Sequence, residues 1–421
     1  MRNTLDQWMK SAGPLPARCR TALALAAAFI LWFDPSNGIS TAILWCAGLY
    51  ALWNWRQAFV SWKSPVGALF GLGTLWAVLS WTWSFDPPGT ARDLIKAAPL
   101  ALGVWAVPVF FDRPNRIWAA LLASAGVVTF RLTMDFLRIF WFLGWPSVLE
   151  AARFFHPYLY THPNVSSMMA GLCALTFAVR LLAGAPGAGR KLALAGGIAL
   201  NLAYLAAMGS RGPQVAFVLA ALALPMFLLP GWRARLAAAG VAAALGCGLW
   251  QVADKVNPRF GDHTMGDFNR RDTIWGHAKM LADFRPWLGY GYGKKAFAKA
   301  IYENPEYRAP RVPVRYPHAH NYWLMLYFQG GRIAFAAWGL AWAGLGVRLV
   351  RFAGRTEREG VGWTGRLRAR ALPLLLGFGI AFVLLYGLVD FPDHVIRHAQ
   401  FYLAALALAL TAPPPSPKGA A

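Results

Sequence analysis

Residues 317–334 read Pro-His-Ala-His-Asn-Tyr-Trp-Leu-Met-Leu-Tyr-Phe-Gln-Gly-Gly-Arg-Ile-Ala, and within them a polar loop turns into a hydrophobic helix. The apolar run that starts here extends over 320–350, longer than the roughly 20 residues a helix needs to cross hydrocarbon. His320 and Asn321 therefore stand where the chain passes from water into lipid. An ionisable side chain at that boundary asks for a reason beyond packing, and proton transfer is the leading one.

The rest of the chain repeats the pattern. Further apolar runs fall near 21–33, 39–53, 66–83, 94–111, 117–143, 164–184, 192–208, 213–230, 236–252, 371–389 and 397–412. With 320–350 they predict an all-α polytopic membrane protein of about twelve transmembrane helices. Composition agrees: 57% of residues are hydrophobic and 14% charged, where soluble domains carry about 25% charged residues. The net charge of +23 is read first as topology rather than as a nucleic-acid surface, because Lys and Arg collect in cytoplasmic connections.

With a cytoplasmic N-terminus, the inside connections hold Arg18 and Arg20, Arg56 and Lys63, Arg113 and Arg116, Arg190 and Lys191, Arg233 and Arg235, and the run from Arg348 to Arg370. The opposite connections hold few basic residues apart from the long loop 253–319, which is too long for the charge rule to govern. Both termini are thus expected in the cytoplasm, and the long loop on the outside. The expected division is 1–252 for helices one to nine, 253–319 for the loop, 320–412 for the last three helices and 413–421 for a cytoplasmic tail. No cleavable signal peptide and no appended soluble domain is expected. The cysteines lie in or beside hydrophobic spans, which argues against a disulfide framework.

Inside the loop, Ile274, Trp275, Ala278 and Leu281 recur at helical spacing and predict an amphipathic helix over 272–284. A turn-rich stretch, Gly289 to Gly293, leads to a second short helix over 294–302, whose Lys294, Lys295 and Lys299 suit anionic lipid heads.

All eight histidines fall on the outside of this topology or at its boundary. His320 is the best general base, since histidine moves protons near neutrality; an interfacial histidine bonded to a neighbour is the plain alternative. His318 and His320 could also hold a metal, but no cysteine or dense carboxylate cluster adjoins them, so no metal or other cofactor is expected. Arg211 lies in Gly209-Ser-Arg-Gly-Pro213, on the side where short loops are otherwise poor in positive charge. Its guanidinium fork matches phosphate oxygens, and Gly209 and Gly212 would let backbone approach a ligand. Arg270 and Arg271 precede the amphipathic helix, and either could complete a diphosphate clamp. Asp390, after the eleventh span, could orient His320 or pair with an arginine. Arg131, Asp135 and Arg138 share a helix face and read as an ion-pair network.

Arginines for a polyanion, one histidine base and a hydrophobic body able to admit a lipid suit transfer from a polyprenyl diphosphate. The diphosphate leaves as a stabilised anion, so the protein must neutralise its charge and deprotonate the attacking hydroxyl.

Three stretches resemble the bacterial O-antigen ligase and polymerase superfamily: Gly209-Ser-Arg-Gly212; Arg271-x-x-x-Trp275 with Arg285-Pro-Trp-Leu-Gly-Tyr-Gly-Tyr-Gly293; and His320-Asn321 followed by Gly331. The family pattern continues Gly-x-x-Gly, whereas this chain has Gly331-Arg-Ile-Ala334, a small replacement expected to preserve close helix packing. The resemblance implies a metal-independent type C glycosyltransferase with a periplasmic active site. His320 would be the base, Arg211 and Arg271 the diphosphate ligands, with Arg270, His318, Asn321 and Asp390 in support. Its donor would be a glycan on undecaprenyl diphosphate and its acceptor lipid A-core, amid membrane lipids. A polymerase or a protein O-oligosaccharyltransferase of the same superfamily is the alternative, and a lipid-linked glycan flippase the reading from another class.

Overall fold

The computed structural model describes residues 38–53, 55, 59, 62–111, 114–143, 163–184, 187–208, 210–228, 231–251, 271–304, 318–359, 362–390 and 394–412. The expected first span at 21–33, Arg270 and the tail 413–421 lie outside the described residues. The described residues form helices without strands, in the order α1 Gly38–Trp53, α2 Pro65–Leu79, α3 Pro87–Phe110, α4 Pro114–Leu143, α5 Pro163–Leu182, α6 Ala188–Ala207, α7 Arg211–Leu228, α8 Trp232–Gln251, α9 Arg271–Phe284, α10 Lys294–Glu303, α11 Tyr322–Glu359, α12 Gly362–Tyr386 and α13 His394–Leu410. A 3-10 turn, Ser80–Trp83, continues α2. The polytopic all-α class expected from the apolar runs is what the chain adopts.

Among the described residues, six helices are long and apolar enough to cross a membrane, within α2 to α5, α11 and α12, and apolar segments of α1, α7 and α13 are shorter. The helices turn large apolar side chains outward, including Leu75, Ile95, Leu192, Leu340 and Val350. In water such a surface would be an aggregation hazard; in lipid it is the low-energy outside. The centre is built on α5 and α12, whose apolar windows are 78% and 67% buried. Small residues allow this: Ala170, Cys173 and Ala174 of α5 are buried, and a Cβ on Gly171 would come within 2.8 Å of the Phe382 ring of α12. On α4, Arg131 Nε sits 3.7 Å from Asp135 Oδ1, part of the ion-pair network expected there.

Both loop helices form where their periodicity placed them. α9 buries Ile274, Ala278, Leu281 and Ala282; α10 buries Ala296, Phe297, Ala300 and Ile301. One of the lysines expected to face lipid heads also pairs within the protein, with Lys299 Nζ 3.7 Å from Asp86 Oδ1.

The largest addition to the sequence reading is in α11, where the apolar run 320–350 is interrupted. Gly331 has φ 65° and ψ −163°, breaking the helix. A break strands carbonyls that hydrocarbon cannot satisfy, and here the turn-rich stretch after α9 satisfies them. Tyr290 and Gly291 donate their backbone N–H groups to the carbonyls of Phe328 and Gln329 at 2.9 and 3.0 Å. Trp76 Nε1 donates to the Gly330 carbonyl at 2.9 Å, and Arg332 N–H donates to the Pro286 carbonyl at 2.7 Å. Tyr290 stacks on Phe328 with ring centroids 4.9 Å apart, and Arg285 covers the Tyr290 ring at 4.9 Å. Gly331 is therefore a hinge rather than one half of a helix-packing pair. A Cβ there would strike the Trp287 backbone, and the left-handed φ would be strained for any other residue. Gly330 is small for a local reason, since the Ala334 Cβ already fills the space a side chain there would need.

Candidate active site

Five segments distant in sequence converge at one end of the bundle: the starts of α5, α7 and α9, the residues before α11, and those after α12. Asn321 caps α11, its Oδ1 accepting from the Leu324 N–H at 2.9 Å while its Nδ2 donates to the Leu388 carbonyl at 2.9 Å. Tyr322 N–H donates to the Gly387 carbonyl at 2.7 Å. These bonds tie the start of α11 to the end of α12 and so bring His320 beside Asp390. The side chain of Asn321, a candidate from sequence, is thus spent on positioning.

His320 carries the one positive φ of a non-glycine among the described residues, 49°. Such a conformation costs of order 1–3 kcal/mol and persists where surroundings over-determine it. Here the surroundings are specific: His320 N–H donates to His318 Nδ1 at 3.3 Å, and Trp275 Nε1 donates to the His320 carbonyl at 3.4 Å. Its side chain is 27% exposed, open to a substrate.

Asp390 is buried, and its carboxylate organises the site. Oδ1 lies 3.0 Å from His320 Nδ1. Oδ2 accepts from Asn164 Nδ2 at 2.7 Å and from the Tyr386 hydroxyl at 2.8 Å, with Arg271 Nη2 3.8 Å away. Burial alone would raise the pKa of Asp390, but the His320 hydrogen bond and the charge His320 carries when protonated, with the Tyr386 hydrogen bond and the Arg271 charge, outweigh it and hold the carboxyl well below its ordinary range. An ionised carboxylate only accepts. The proton of neutral His320 is therefore on Nδ1, facing Asp390, and Nε2 is left as the basic nitrogen. The carboxylate of Asp390 thereby fixes the orientation of the His320 ring.

Arg271, at the first turn of α9, is mostly covered, with its side chain 20% exposed. Its contact with Asp390 is loose, so the other guanidinium nitrogens can face a ligand. Arg211 opens α7 and is exposed. Its neighbours fasten it to the same cluster: Ser210 Oγ donates to Asn164 Oδ1 at 2.8 Å, and a Cβ on Gly212 would come within 2.9 Å of Val389 and 3.3 Å of Tyr386. Gly212 thus serves close packing against the end of α12, not the ligand contact expected of it.

The structure brings together His318, His320, Asn321, Asp390 and Arg271, with the Arg211 backbone beside them. Sequence reasoning missed Asn164 and Tyr386. Tyr386 had a signal, lying one helical turn before Asp390; Asn164 had only its place at the start of a span. The carboxylate that does not adjoin His318 and His320 in sequence is supplied by the fold. Ring nitrogens of both histidines and a carboxylate oxygen of Asp390 lie within 4.8 Å of one another.

Residues 196–339 match the O-antigen ligase family. The matched segment holds Arg211, Arg271, the stretch from Arg285 to Gly293, His320 and Gly331; Asn164, Tyr386 and Asp390 lie beyond it. No curated protein matches the chain. The match supports the O-antigen ligase family and, more broadly, the O-antigen ligase and polymerase superfamily; with the apolar helices it indicates a multi-pass, glycosyltransferase-like membrane enzyme.

Proposed function

We propose that the protein is an O-antigen ligase, transferring a glycan from undecaprenyl diphosphate to a hydroxyl of lipid A-core on the periplasmic side of a bacterial inner membrane. The observation that carries this reading is the junction of an Asp-oriented histidine with an arginine at Asp390.

In this mechanism His320 Nε2 takes the proton of the acceptor hydroxyl as its oxygen attacks the anomeric carbon. The bond from that carbon to the diphosphate breaks, and the diphosphate leaves as an anion held by Arg271 and Arg211. Asp390 stabilises the imidazolium that forms and keeps its ring in register. One displacement inverts the anomeric centre, and neutralisation by guanidinium requires no metal. Both termini lie in the cytoplasm in this reading.

The experiment is reconstitution. Purified protein in liposomes is given undecaprenyl-diphosphate-linked glycan and, in separate reactions, lipid A-core, more of the donor, or a serine-containing protein. Glycan on lipid A-core supports the ligase. Elongated donor would instead identify a polymerase, and glycan on serine a protein transferase.

A further inference from the structure

The His318, His320 and Asp390 cluster has a geometry that general-base chemistry does not require. A base and its orienting carboxylate make two groups; here a second imidazole stands against the first, with ring centroids 4.2 Å apart. Nitrogens of both rings and an oxygen of Asp390 gather within 4.8 Å. Zinc bound tetrahedrally at about 2.0–2.1 Å places neighbouring ligand atoms about 3.3 Å apart. His320 Nδ1 and Asp390 Oδ1 are 3.0 Å apart already, close to one edge of such a tetrahedron.

We propose that this cluster is an inhibitory site for a zinc-class divalent ion, held by His318, His320 and Asp390 with water completing the shell. Two imidazoles and one carboxylate select zinc, copper or nickel over magnesium and calcium, which take oxygen ligands. Arg271 does not block it, because it approaches Oδ2 while His320 faces Oδ1. Asn164 and Tyr386 also bind Oδ2, so Oδ1 is the oxygen that meets the imidazole of His320.

The inhibitory consequence rests on reading His320 as the base. A metal between His320 Nδ1 and Asp390 Oδ1 replaces the proton that bridges them. That proton moves to Nε2 as the ring changes tautomer, with no net release. Nε2 then carries hydrogen and cannot accept the proton of an acceptor hydroxyl, so transfer stops while the metal stays bound. Removing the metal restores the Nδ1–H tautomer and the base.

The test separates binding from catalysis. Metal-stripped protein in nanodiscs, without donor or acceptor, is titrated with Zn²⁺ against a chromogenic chelator and with Co²⁺, whose visible bands report a tetrahedral site. One equivalent should bind, and His318→Ala, His318→Gln and Asp390→Asn should each weaken it at least about 10–100-fold, the loss that even outer-shell changes produce. Melting temperatures confirm that the variants are folded; two His318 variants guard against one that is not. Zinc should then suppress glycan transfer by wild type, and EDTA should restore it. Zinc binding unchanged in all three variants would overturn the site, as would no stoichiometric binding. Tight binding at the cluster without loss of transfer would overturn the inhibition. A protein that binds zinc there yet transfers no glycan to any acceptor would leave the site standing and remove the ligase reading instead.

Discussion

Two regions flank the same short piece of α11. At one end, His320, Asp390, Arg271, Asn164 and Tyr386 meet through side chains, mostly as hydrogen bonds and one loose ion pair. At the other, the break at Gly331 is closed mainly by backbone amides and carbonyls of the stretch from Pro286 to Gly291, under a roof of aromatic rings. The first region holds strain and a partly exposed imidazole, as a site for chemistry does. The second leaves the broken helix's carbonyls satisfied and its glycines filled, as architecture in lipid must be. The two lie about three helical turns apart along the chain, so motifs that look alike in sequence divide into chemistry and scaffold.

His320→Ala is expected to break the first region most severely. Loss of a general base costs about 10²–10⁴-fold in rate per folded molecule, with donor binding retained. Transfer to lipid A-core at near wild-type rate would remove the base from the scheme.

Arg271→Ala comes next. Losing a hydrogen bond to a charged group costs about 1.5–3 kcal/mol, or roughly a 10–100-fold fall in kcat/KM for the donor. Arg271→Lys, and likewise Arg211→Lys, should rescue only in part, since an ammonium lacks the two-point fork. Lysine variants matching wild type at equal protein level would refute the clamp.

Gly331→Ala tests the other region. The left-handed φ and the clash with the Trp287 backbone should lower stability by about 1–3 kcal/mol, the usual cost of such strain. Rate per folded molecule should change little. A variant with wild-type melting temperature and a hundredfold lower rate would erase the division between chemistry and scaffold.

Asp390 links the first region to pH. Its folded pKa is depressed, so its stabilisation is complete above the unfolded value of about 3.9 and is lost as pH falls through the lower folded value. The melting-temperature gap between wild type and Asp390→Asn should be present from about pH 8 to 5 and close only below about pH 4. A gap that closes between pH 8 and 6 would contradict an ionised Asp390.

The smallest effect is expected at Lys279→Ala. Lys279 and Asp283 form an exposed pair on α9, 2.6 Å apart with side chains 69% and 45% exposed. Such pairs contribute little in water, so activity and melting temperature should match wild type.

Much of this was legible without a structure. His320 stood out because hydropathy changes sharply at its position, and Arg271 because it precedes a periodic apolar stripe. The role of Asn321 was harder to read, since an asparagine before an apolar run is equally a cap and a ligand; only its bonds to Leu324 and Leu388 decide. Gly331 was misread because a glycine within an apolar run signals small-residue packing as readily as a break. Its φ is set by the loop that docks against it, and that loop lies some 40 positions earlier.

By itself the sequence determined the helical class, the apolar runs, the two loop helices and the residue types available for a polyanion and a base. These follow from local physics: hydropathy over about 20 residues and periodicity near 3.6 need no distant partner. Only the tertiary structure decided that Asp390 faces His320, that Asn164 and Tyr386 hold Asp390, that His318 joins them, and that the stretch from Pro286 to Gly291 closes the break in α11. Hydrogen bonds and ion pairs act over a few ångströms of space, and their partners here lie up to 254 positions apart in the chain. No local pattern encodes which helix ends will meet.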